Sequence, residues 1–133
     1  MTKIPTTRPP KSVEEVNATL HQFDGATLEW WRFSVTHLQC VWKVTGLPQG
    51  VGYIFMLATY YMNFPTVMHD VRLRIATIAE TEELRLQLPQ AHKSLPEYHY
   101  RIAECQEGLF SVWSKGFIVV WGEQEATRML QQM

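Results

Sequence analysis

Cysteine and aspartate are both scarce in this sequence of 133 residues. Cys40 and Cys105 are its only thiols, and without a Cys-x-x-Cys pair they exclude a disulfide framework and a thiolate zinc site. We interpret both as reduced, buried thiols. The only aspartates are Asp24 and Asp70, so the clustered carboxylates of calcium loops and two-metal hydrolases are missing as well. We therefore expect no metal and no cofactor.

A dominant charge and a long apolar run are also missing. Twelve Lys and Arg face 13 Asp and Glu, for a net charge of -1, which gives no electrostatic attraction to nucleic acid or to a membrane surface. The longest apolar run, Val51 to Met62, is shorter than the roughly 20 residues that cross a bilayer. The segment from Met1 to Lys11 has no apolar signal-peptide core. We expect a cytoplasmic chain without nucleic-acid or membrane partners.

The sequence does contain enough apolar material for one core, since 46% of it is hydrophobic and 12% aromatic. The prolines at Pro5, Pro9 and Pro10 predict a flexible N-terminal lead-in over residues 1–11. Residues 12–133 then fit a single globular domain.

Hydrophobic periodicity predicts a helix at each end of this domain. Ser12 followed by Glu15 is typical of a capping box, and apolar residues at helical spacing continue until Asp24-Gly25, which predicts a helix over about residues 13–22. The same spacing returns near the C-terminus and predicts a second helix there, at Ala126, Met129, Leu130 and Met133.

Between the helices, apolar and polar residues alternate as in half-buried strands. On this basis extended segments are predicted at 28–35, 38–44, 71–75, 84–88 and 98–102, with Glu80 to Glu83 as a solvated turn. Val51 to Met62 is apolar on both faces, which indicates a central strand, although periodicity also permits a buried helix. Lys115-Gly116 is typical of a two-residue hairpin between strands 109–114 and 117–121. Phe110, Val112, Val119 and Trp121 would then share one face.

Together these elements predict an α+β domain. Its curved, mostly antiparallel sheet would have roughly six to eight strands, either open or closed into a partial barrel, with an N-terminal and a C-terminal helix.

Paired aromatic residues are the most informative feature for function. Neighbouring side chains on a strand point to opposite faces, so Trp30-Trp31 and Tyr60-Tyr61 each require either two buried faces or one exposed ring. Exposed Trp and Tyr are enriched at protein interfaces, and rings can also line a small-molecule pocket. The residues predicted for an interface or pocket are Trp30, Trp31, Tyr60, Tyr61 and Trp113.

Catalytic signals are weak by comparison. His69-Asp70 has the form of a metal-binding dyad, but no further ligands accompany it, so a hydrogen bond at a loop edge is the favoured interpretation. No His-Glu-x-x-His, nucleophile-elbow, phosphate-loop or dinucleotide motif is present. We therefore assign no catalytic residue and regard a histidine-dependent enzyme, using His69 or His99, as the least favoured function.

The order of a capped helix, then Phe-Asp-Gly-Ala-Thr-Leu at residues 23–28, then aromatic strands, resembles that of small immunity-type and orphan bacterial proteins. The resemblance implies binding through a surface and carries over no individual residue. We therefore predict a protein–protein interaction domain, as a homodimer or with another protein. The alternative is a domain that binds an apolar small molecule within the curved sheet.

Overall fold

The computed structural model describes residues 12–34, 39–86 and 100–131, apart from the side chains of Ser34, Tyr60 and Tyr61. The predicted lead-in over residues 1–11 lies outside these residues. The elements in chain order are α1 (Val13–His21), β1 (Ala26–Ser34), β2 (Gln39–Thr45), β3 (Gly52–Asn63), β4 (Val67–Ile75), α2 (Ile78–Arg85), β5 (Tyr100–Cys105), β6 (Gly108–Trp121) and α3 (Glu123–Gln131). The α+β fold with an antiparallel sheet is confirmed. Within the described ranges, every helix is too short or too polar to span a bilayer.

The strands pair in a closed cycle, which we call the strand ring. Their spatial order is β1-β2-β3-β6-β5-β4, and β4 returns to β1. All of these pairings are antiparallel. Register shifts interrupt β1 between Trp30 and Arg32 and β3 between Thr59 and Tyr61. Such shifts bend and twist a strand, so the ring is irregular.

A cluster of buried side chains fills the inside of the ring, and α1 closes one end of it. Val16, Leu20 and Phe23 join the inner cluster from the helix side. The Phe23 ring stacks on Trp121 with centroids 6.1 Å apart. The Ser12 side chain accepts from the N–H of Glu15 at 3.1 Å. The predicted N-terminal helix and its serine cap are therefore confirmed.

The two other helices cover the outer face of the sheet. One outer cluster beneath α2 contains Ala76, Leu84, Tyr100, Ile102 and Trp113. The other, beneath α3, contains Val41, Tyr53, Phe55, Ile118 and Ala126. Strands covered on both faces read as continuous apolar runs, which explains why β3 shows no alternation. The choice of a strand for this segment, and the C-terminal helix, are both confirmed.

The predicted turn at Glu80 to Glu83, followed by a strand, is wrong because α2 occupies this segment. Its start is a capping box: the Thr77 side chain accepts from the N–H of Glu80 at 3.2 Å, and Glu80 Oε1 accepts from the N–H of Thr77 at 2.8 Å. These two bonds satisfy N–H groups that a helix start leaves free. The end of the predicted strand, beyond residue 86, lies outside the described residues.

The predicted hairpin at Lys115-Gly116 is also wrong, since β6 is one continuous strand. Both halves of β6 pair with β3, through Leu57 with Gly116 and Thr59 with Ser114. Lysine is a poor first residue for a type I′ turn, which requires positive φ. The four residues predicted to share a face do lie in or against the inner cluster.

Candidate functional site

Trp30 and Trp31 lie on a strand and point to opposite faces of it. The centroid of the Trp30 indole lies 5.6 Å from that of Trp42, on the inner face of the strand ring. The Trp31 ring packs on the outer face, 4.5 Å from Tyr53 and against the cluster beneath α3. The strand geometry inferred from this pair is therefore present.

Four inner-face aromatic rings form a continuous series, which we call the aromatic row: Phe33, Trp30, Trp42 and Phe64. Their centroids are 5.9 Å apart for Trp30 and Phe33 and 5.3 Å apart for Trp42 and Phe64. Trp42 meets both Trp30 and Phe64 edge to face, an arrangement favoured by the charge distribution of aromatic rings. The row therefore rests on Trp42, which is fully buried.

One end of the aromatic row is exposed. Trp30 is 40% exposed and Phe33 44%, although both belong to an inner face. Their strand runs from Ala26, at the end of the ring closed by α1, towards the opposite end, where Phe33 pairs with Cys40. Helix α1 therefore covers the start of β1 and leaves these two rings uncovered.

Charges of both signs lie on the outer face of the same two strands, opposite the exposed rings. Glu29 and Lys43 face each other across β1 and β2. The Arg32 guanidinium is 5.1 Å from the centroid of the Trp31 ring, a cation–π contact that fixes it on the outer face. The two exposed rings alone therefore define the candidate site.

The other predicted site residues have different positions. Trp113 is fully buried beneath α2, 6.1 Å from Tyr100, and is not part of the exposed surface. The side chains of Tyr60 and Tyr61 lie outside the described residues. Sequence reasoning missed Phe33, because regular alternation from Trp31 puts Phe33 on the outer face. The register shift between Trp30 and Arg32 moves it to the inner face beside Trp30.

Both thiols are free, and the prediction that both are buried is correct for Cys40 only. Cys40 is buried, with its sulfur 3.5 Å from Met62 Sδ. Burial raises the pKa of Cys40 to about 12, although the Trp42 indole acts in the opposite direction. Cys105 is half-buried, and its pKa is also raised, first by burial and then by the nearby Glu107 carboxylate. Since thiolates are the nucleophilic form, both side chains are poor nucleophiles at neutral pH.

His69 is bound to the turn between β5 and β6. Its Nδ1 lies 2.6 Å from Glu107 Oε2, and its backbone N–H donates to Glu107 Oε1 at 2.7 Å. Gln106 N–H donates to the His69 carbonyl at 2.9 Å. Both side chains of the pair are substantially exposed. In the ranges described above, no group of three His, Cys, Asp or Glu could hold a metal ion.

A second carboxylate, Glu80, is held between Arg74 and the start of α2. Arg74 donates to both Glu80 oxygens, at 2.6 and 2.9 Å, and also to Glu104. Hydrogen bonds from Arg74 and then Thr77 lower the pKa of Glu80 to about 2. Hydrogen bonds from His69 likewise lower the pKa of Glu107 to about 2.

These depressed pKa values give a pH prediction. A carboxylate whose pKa is lower in the folded state stabilises the fold above its ordinary pKa of 4.5 and loses this contribution as the pH falls towards 2. We expect the urea midpoint to fall across this window. Glu80→Gln should flatten the fall, whereas Glu82→Gln, an exposed residue on the same helix, should leave it unchanged. An acid profile of Glu80→Gln that superimposes on wild type would contradict this.

No protein-family model, curated protein or solved structure matches this chain. The candidate site is therefore defined by the geometry of this structure alone. That geometry is a pair of exposed rings in mutual contact, supported by a buried tryptophan.

Proposed function

We propose that this chain is a protein-interaction domain without catalytic chemistry, and that it forms a homodimer through Trp30 and Phe33. One observation carries the proposal: two rings in contact are each at least two-fifths exposed while a fully buried ring supports them. Exposing such rings to water is unfavourable, and a partner that covers them gains that free energy. Aromatic anchors at the centre of a patch carry much of the binding energy in known interfaces.

A second copy of the chain is the partner that the apolar patch and the low net charge favour. A two-fold interface uses the same patch on both subunits, so the patch must be complementary to itself. A patch of two aromatic rings meets this condition, because aromatic rings pack well on one another. A net charge of -1 produces little repulsion between two copies.

The mode of contact follows from the pairing of the strands. Every described strand has a partner on both sides in the strand ring. A dimer formed by adding one strand to another needs a free strand edge. Side chains of the exposed rings are therefore the expected contacts. A standard interface buries about 800 Å² per partner, and two aromatic rings supply less than half of that, so a polar rim completes it.

Phe33→Glu tests the proposal. We expect wild type to pass from monomer to dimer with rising concentration in sedimentation-velocity experiments. Phe33→Glu should stay monomeric, because it places a carboxylate at the centre of the apolar contact. Ile78→Glu is the matched control, since Ile78 is 70% exposed on α2, away from the aromatic row. Wild type that remains monomeric, or two variants that lose the dimer equally, would contradict the proposal.

The two alternatives have less support. The inner cluster occupies the inside of the strand ring, where an enclosed apolar ligand would have to bind. The His69–Glu107 pair lies on an exposed turn, and its carboxylate joins two strands. We further propose a cytoplasmic location, because free thiols such as Cys40 and Cys105 are typical of reducing compartments.

A further inference from the structure

A cleft of about 170 Å³ opens on the outer face of the sheet, beside α2. It is separate from the aromatic row. Helix α2 packs Leu84 against the outer cluster that contains Trp113, whereas Leu109, further along the same strand face, remains 58% exposed. The cleft occupies this uncovered part of the sheet, and its apolar walls are Leu84, Ile102, Leu109 and Phe110.

Two neighbouring strands, β3 and β6, bring polar groups to the floor of the cleft. Ser111 on β6 pairs with Asn63 on β3 and with Ile102 on β5, so these residues form a row across the sheet. Ser111 is 8% exposed and lines the cleft. Its hydroxyl makes no hydrogen bond to another described residue, so it is available to a ligand in the cleft.

The carboxylates of Glu80 and Glu83, both on α2, line the cleft. They differ in whether another side chain already binds them. Glu80 has both oxygens bound by Arg74. Glu83 lines the cleft and is exposed, and in the part of the chain that the structure describes it makes no ion pair. Arg74 also donates to Glu104, so its single positive charge already faces two carboxylates. The cleft is therefore negative, with Glu83 as its available anion.

We infer that this cleft binds a small primary alkylammonium ion. An ammonium group offers three donors and no acceptor. The Glu83 carboxylate, the Ser111 hydroxyl oxygen and the Asn63 amide oxygen are the acceptors on this side, and the alkyl chain lies along Leu84 and Leu109. A water molecule takes about 30 Å³ of liquid, so the volume suits about six heavy atoms. An anionic ligand would be repelled by both glutamates.

The experiment titrates n-pentylammonium into the labelled full chain and follows backbone amide shifts by NMR. Shifts should centre on Leu84, Leu109 and Ser111. The neutral 1-pentanol has the same length and should bind more weakly. Glu83→Gln keeps the shape of the side chain but removes its charge, and should weaken pentylammonium binding about fivefold or more. Glu82→Gln, the adjacent exposed carboxylate, should have no such effect.

A second probe distinguishes two sources of the ammonium group, a free amine and a lysine side chain of another protein. Tighter binding of pentylammonium than of an Nα-acetyl-lysine amide assigns a free amine, and the reverse assigns a lysine side chain of another protein. The inference is overturned if no shift occurs up to about 50 mM, the weakest binding expected for six heavy atoms. It is also overturned if pentanol binds equally well or Glu82→Gln acts like Glu83→Gln. Phe33→Glu should bind the amine normally, which keeps this test independent of dimer formation.

Discussion

Trp42→Ala is expected to lower the free energy of unfolding by about 3–5 kcal/mol, the range found when a buried aromatic ring is truncated. Trp42 is fully buried and supports two other rings, Trp30 at 5.6 Å and Phe64 at 5.3 Å between centroids. Removing it leaves a large cavity beneath the exposed end of the aromatic row. A domain of this size has roughly 5–15 kcal/mol of stability in total, so the variant would be close to unfolding.

Urea unfolding followed by far-ultraviolet circular dichroism measures this loss, and Trp30→Ala is the matched control. Trp30 is the same residue type on the paired position of the next strand, but part of its ring is already in water. Its truncation should therefore cost clearly less. The account of the aromatic row is contradicted if the two variants lose equal stability.

Phe23→Ala is the second change with a large expected effect, again about 3–5 kcal/mol. Phe23 is fully buried just after α1 and stacks on Trp121 from the last strand. Its ring therefore joins the segment that follows α1 to the end of β6, at the closed end of the strand ring. Loss of this contact should also loosen α1.

Hydrogen exchange of the α1 amides, together with the unfolding free energy, checks the second prediction. Val13→Ala is the control on the same helix, because Val13 is half exposed and surface changes usually cost no more than about 0.5 kcal/mol. A Phe23→Ala protein with wild-type stability and protected α1 amides would show that this helix does not close the ring.

Much of the fold could be predicted because local signals agreed with tertiary structure. Ser12 caps α1 and an apolar stripe follows it. The predicted end of this helix lies within one residue of the end in the structure. The apolar run at residues 51–62 formed a central strand because helices cover the outer side of the sheet. For α1 the pattern was compatible with one structure, whereas the apolar run also permitted a buried helix.

The errors came where two patterns overlapped. The alternating leucines after Glu83 favoured a strand, but the Thr77–Glu80 capping box begins α2 upstream of them. Lys115-Gly116 has the spacing of a hairpin, whereas the long partner strand β3 keeps β6 extended through it. Both outcomes depend on contacts made by residues distant in the sequence.

The candidate site could be predicted only in part, for a similar reason. The adjacency of Trp30 and Trp31 requires opposite directions on a strand, and the structure has this arrangement. Which ring is exposed depends on where α1 and α3 pack, which adjacency does not specify. Phe33 joins Trp30 only through a register shift, and no residue pattern in β1 marks the position of that shift.

Fluorine NMR of protein labelled with 5-fluorotryptophan tests the central claim most directly. The chain has five tryptophans, and single substitutions assign their signals. We expect the Trp30 resonance to shift most as protein concentration rises, and to stop shifting in Phe33→Glu, while the buried Trp113 resonance stays constant. A Trp30 signal that is independent of concentration, or a larger change at Trp113, would contradict a dimer surface built on these rings.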